Sequence, residues 1–120
     1  EYLPNVADCL ARALDRGVSV RVILMKPGLL SNEDRAKQAK TLKALKQPPL
    51  NEVLVRFSDE VPIRGCIIDP ERGAGALFLV EDPGVPFSFR EAAITFHPSV
   101  VKGLALMFNL MWEHKAVPME

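Results

Sequence analysis

Arg64 and Asp69 bracket an apolar run in the stretch 61-VPIRGCIIDPERGAGALFL-79, and two more arginines, Arg21 and Arg56, interrupt runs that otherwise read as buried. Charged groups in such strands are rare unless they are paired or face a cavity. Cationic groups gathered near one end of a sheet make a site for an anion or a polyol, because guanidinium donors match carboxylate and phosphate oxygens in pairs. Arg64 and Asp69 are five residues apart, so a regular strand sends them to opposite faces and a direct pair is not expected. Arg56 and Arg64 instead flank a hairpin built from 52–57 and 63–69 and meet across it. The candidate ligand-binding residues are therefore Arg56, Arg64 and Asp69, with Arg21 as a fourth. The competing explanation is an inter-strand salt bridge, or an arginine whose stem lies along the sheet rim.

Other chemistries find less support. The chain has two histidines, and neither is set in a pattern with a nucleophile and an orienting acid. His97 falls at a strand-to-helix junction, where capping explains it. His114 falls in a last helical turn, where a cationic tip suits the helix dipole. No His, Cys, Asp or Glu cluster has metal-ligand spacing. The turn 73-GAGA-76 lacks the lysine and the strand-to-helix setting of a phosphate loop. No catalytic residue, metal or cofactor is expected. Cys9 and Cys66 sit among apolar neighbours and read as small buried hydrophobes in a reducing compartment.

These residues need elements to hold them. Leu3, Val6, Leu10, Ala13 and Leu14 share one helical face, and Arg16-Gly17 stops that helix. The run 18-VSVRVILM-25 reads as a strand buried on both faces. Ser31 caps a helix over 33–46, with Asp34 at the capping-box distance. Its lysines at 37, 40, 43 and 46 spread over about half of the circumference, which describes a solvated face. Strands follow at 52–57, 63–69, 76–81 and 92–96, with a proline-bearing loop at 82–88. Pro98 opens a last helix whose apolar face is Val100, Val101, Leu104, Phe108, Met111 and Trp112. The order predicts an α/β fold, a mixed β-sheet flanked by helices.

The totals agree with such a fold. A chain of 120 residues is enough for one domain with one core, spanning 1–120. Fifteen basic and fifteen acidic side chains cancel, which leaves no electrostatic footprint for nucleic acid or an anionic membrane. No apolar run approaches the roughly 20 residues of a membrane span, and the start lacks a signal-peptide pattern. A cytoplasmic protein is expected. Glu1 opens almost at once into a helical pattern without a methionine, so the chain reads as a fragment of a longer one.

The run 62-PIRGCIIDPERGAGALFLVEDP-83 resembles the C-terminal domains of TrmB-like and related LuxR-like transcription regulators. Two more blocks carry the resemblance: 10-LARALDRGVSVRVIL-24, a helix, Arg-Gly-Val and strand, and 108-FNLMWEHKAVPM-119, a closing helix with Phe, Trp-Glu and a final proline. The three blocks lie in the family's order and are spread along the chain from residue 10 to residue 119; 31–47 adds little. The resemblance implies half of a phospholipase D-like fold. Active enzymes of that fold carry His-x-Lys-x-x-x-x-Asp on this strand, with a histidine nucleophile. With Asp69 set on the motif's aspartate, Arg64 falls at the lysine and Pro62 at the histidine. Proline cannot be a nucleophile, so the motif is degenerate and the scaffold non-catalytic.

The resemblance thus implies a regulatory domain that forms a homodimer and senses a small-molecule effector such as a sugar. DNA would be bound only through a winged helix-turn-helix domain lying N-terminal to this segment. The alternatives are a structural dimerisation module with no ligand, and an active phosphodiesterase.

Overall fold

The computed structural model describes residues 3–61, 64–72, 74–79, 84–86 and 91–118. Its chain divides into two compact units: Glu1–Asp59 with Ala116–Glu120, and Glu60–Lys115.

In the first unit, α1 covers Leu3–Asp15. Its end is a Schellman motif. Gly17 takes φ 87°, Val18 N–H donates to Ala13 O and Gly17 N–H donates to Leu14 O, both at 3.0 Å. The turn consumes residues 16–20, so β1 starts at Arg21 and runs to Met25, three residues later than the apolar run predicts. A short 3₁₀ turn at Pro27–Leu29 leads into α2, Asn32–Leu45. Ser31 accepts from Asp34 N–H at 3.2 Å, as the capping pattern requires. Arg35 donates to Pro27 O at 3.0 Å and Leu30 O at 3.3 Å, and Gln38 donates to Met25 O at 2.8 Å. These three bonds tie α2 to the segment before it. Lys37, Lys40, Lys43 and Lys46 are all exposed.

β2, Leu54–Ser58, is the central strand of a three-stranded sheet. It pairs in parallel with β1 and antiparallel with β6, Val117–Pro118. The strand β6 is too short, and carries a proline, to leave a strand signature in sequence. One face of the sheet packs Val22 and Val55 against a core of Leu14, Leu45, Leu50 and Val53. β1 is therefore an edge strand, and the expectation of burial on both faces is corrected: Arg21 is exposed, and Val22 to Met25, which alternate between the two faces, are only half-buried.

The second unit holds an antiparallel sheet of β3 (Arg64–Ile68), β4 (Gly75–Leu79) and β5 (Ala92–Thr95), in that spatial order. Residues 63 and 80–81, placed in strands by the sequence, and 82, 83, 87 and 88 of the predicted loop lie outside the described residues. α3, Pro98–His114, starts on Pro98 as expected and contacts β3 and β4. Val101 and Trp112 are its buried residues, and the Phe108 and Trp112 rings stack at 6.0 Å. Val100, assigned to the apolar face, is exposed instead, together with Leu106 and Leu110. The α/β class stands. The strands form one mixed and one antiparallel sheet, where the element order predicted a single mixed one.

Candidate functional site

The register decides which charged residues share a surface. Arg21 pairs with Leu54, and Arg56 pairs with Ile23 across β1 and β2. Side chains at paired positions point the same way, and alternate residues share a face. Arg21 and Arg56 are thus diagonal neighbours on the sheet face opposite Val22 and Val55. Arg21 is exposed and Arg56 half-buried.

Arg64 belongs to the other sheet, opposite Leu79 on β4, and is exposed. The expected 52–57 and 63–69 hairpin does not form, so Arg56 and Arg64 do not meet across one. Both edges of β2 are already taken, by β1 and β6, while β3 pairs with β4.

Asp69 follows β3 directly and holds φ 43°, a left-handed backbone that Asp tolerates better than most side chains. Its carbonyl accepts from Arg72 N–H at 2.9 Å and from Ala74 N–H at 3.3 Å, with Pro70 in the second position of the turn. The aspartate at the end of the apolar run is first a turn residue. Pro62, the position matched to the histidine of the phospholipase D motif, lies outside the described residues.

His97 is the N-cap of α3, but through its carbonyl, which accepts from Val100 and Val101 N–H at 3.1 and 3.0 Å; its ring makes no capping bond. His114 ends α3 and is exposed. Among the described residues no group of His, Cys, Asp and Glu could hold a metal ion, and no helix is long and apolar enough to cross a membrane.

Both cysteines are free and exposed, against the expectation of burial. Cys9 lies beside Arg12 on the outward side of α1, with Arg12 Nη2 at 3.6 Å from its sulfur. Cys66 lies in the middle of β3, and its partial desolvation pushes the thiol pKa up. Cys66 pairs with Leu77, which pairs with Ile94, so the three share one face with Ile68 and with Phe96 just past β5. The opposite face carries buried Ala76 and half-buried Ile67, Phe78 and Ala93. An open groove of about 220 Å³ runs over the first face, lined by Ile68, Ala74, Gly75, Ala76, Leu77, Ile94 and Phe96. Its lining carries no charged side chain. Sequence reasoning missed this surface. The residues carry no sharp signal for it, because Ile67, Ala76, Phe78 and Ala93 on the other face are apolar as well, and only the strand pairing joins Cys66, Leu77 and Ile94.

No protein-family model matches the chain, and no curated protein matches it. Among solved structures it is similar to TrmBL2, described as an archaeal chromatin protein with a novel mode of DNA binding. The likeness has 25% identity and a TM-score of 0.64 and covers 96% of this chain. The chain spans 40% of the length of that protein. The likeness supports a TrmB-like relation.

Proposed function

We propose that the chain is a non-catalytic regulatory module of a TrmB-like DNA-associated protein, and that its main task is to bring copies of that protein together. The observation that carries this reading is the likeness to TrmBL2 over 96% of the chain. The charge balance of fifteen against fifteen supports leaving DNA contact to another part of the protein. In this reading the sheet bearing Arg64 and Asp69 is a phospholipase D-like scaffold without a nucleophile, with Pro62 at the histidine position. The work is done in the cytoplasm. The test is sedimentation velocity from about 1 to about 300 µM, a range in which mass action makes a weak dimer visible. A reversible homodimer is expected, and a monomer throughout overturns the reading.

Effector sensing is a second reading, favoured by the placement of Arg21 and Arg56 on one sheet face. A bound effector shifts a dimer only by its differential affinity for two arrangements. A panel of mono- and disaccharides should then raise the thermal midpoint of the wild type and leave Arg56→Ala unmoved. No shift with any sugar removes the sugar as the effector class.

A further inference from the structure

The antiparallel sheet of the second unit has one covered and one open face. On the open face Ile68, Leu77, Ile94 and Phe96 are 57%, 45%, 64% and 71% exposed. No described element of this unit covers them. Their exposed surface is on the order of 500 Å², at the upper end of what the largest apolar patch on a monomer shows.

The shape of the patch points to its occupant. Phe96 projects beside the groove that Ile68, Gly75, Leu77 and Ile94 line. Gly75 makes this possible, since a Cβ there would stand 3.2 Å from the Phe96 ring. The groove, about 220 Å³, is open to solvent on its outer side and lined by apolar atoms. An exposed aromatic ring and an open apolar groove that it helps to line therefore lie on the same patch. Such a patch can meet its own copy in a two-fold contact, in which residue i meets j and j meets i. Charge does not oppose it. Arg64, at one end, is the charged strand residue of this face, so two copies bring no cluster of like charges together. The same neutrality argues against nucleic acid or an acidic protein as the occupant.

We infer that this face is the interface between two copies of the chain, Ile94 and Phe96 of each packing on the apolar face of the other, with the two sheets face to face about 10 Å apart. The inference rests on the assembly reading above and names its surface. With on the order of 500 Å² per copy before any rim is added, the contact sits at the small end of specific interfaces, so micromolar dissociation is expected.

The experiment compares the wild type with Ile94→Lys, Phe96→Ser and, on the exposed side of α3, Leu106→Lys, by sedimentation velocity, with circular dichroism to check folding. The two sheet variants should raise the dimer dissociation constant by at least about tenfold, as loss of a buried anchor does, and Leu106→Lys should leave it unchanged. A second readout needs no variant. The alkylation rate of Cys66 should fall as the wild-type chain is concentrated, while Cys9, on α1, reacts at a constant rate. A dimer that survives both sheet variants, or forms without protecting Cys66, overturns the surface and leaves the assembly reading standing. A wild type that stays monomeric overturns both.

Discussion

Asp69 illustrates how a residue that looks chemical can be explained first by its backbone. Its φ of 43° and its two accepted hydrogen bonds place it at the head of the turn that joins β3 to β4. Left-handed backbone costs an L-residue roughly 1–2 kcal/mol, and glycine escapes that cost. Asp69→Gly should therefore raise stability by about 0.5–1 kcal/mol, and Asp69→Val should lower it by about 1–2 kcal/mol. Urea midpoints at constant slope read both, and a destabilising glycine would mean that the carboxylate itself is needed. Gly65 makes the opposite case. A Cβ there would collide with Leu77 O and stand 2.8 Å from Phe78 Cβ on the paired strand. Gly65→Ala should cost about 1–3 kcal/mol, the range for overpacking. Sequence alone named Asp69 and Arg64 but could not show that Gly65 is the tighter constraint, because close approach depends on the strand opposite.

At the scale of elements, two glycines with the same chemistry have opposite effects. Gly17 takes φ 87° at the end of α1 and closes a Schellman motif. Gly103 sits inside α3 with nothing within 4 Å of where a Cβ would be. Gly17→Ala should destabilise by about 1 kcal/mol, and Gly103→Ala should stabilise by about 0.5–1 kcal/mol. Thermal midpoints that move in the same direction for both would contradict this account. Trp112, buried and stacked on Phe108, should cost about 3–5 kcal/mol on truncation to alanine. The elements themselves were largely legible. Propensity, Gly17, Ser31 and Pro98 mark the helices because caps are written in local residues. β6 was not legible, since two residues including Pro118 carry no period of their own and become a strand only by pairing with β2. The apolar face of α3 was legible in part: Trp112 and Val101 are buried, yet Val100 is exposed.

For the whole molecule, charge is the property that predicts behaviour most directly. Fifteen cations against fifteen anions, with the α2 lysines exposed, give no net field that draws in a phosphate backbone. The chain alone should not retard a DNA duplex at about 150 mM salt. A shift whose affinity falls steeply with salt would show phosphate contacts and would assign DNA binding to this segment after all. The same count predicts that self-association through the apolar face depends little on ionic strength, because screening acts on charges and not on buried apolar area.

The sequence by itself determined the α/β class, most elements and the absence of a net field, because these follow from local periodicity, capping chemistry and arithmetic. It also determined the left-handed stop at Gly17 and the turn after Asp69 in outline. Tertiary structure decided which strands are neighbours. That pairing gave β2 two partners, denied Arg56 a hairpin with Arg64, placed Arg21 beside Arg56, and set Cys66 on the exposed face of β3. It also brought Cys66, Leu77 and Ile94, from three separate segments, onto one exposed face. A strand's period of two shows which residues share a side. Only pairing across the sheet, set by long-range hydrogen bonds, decides what that side adjoins and whether anything covers it.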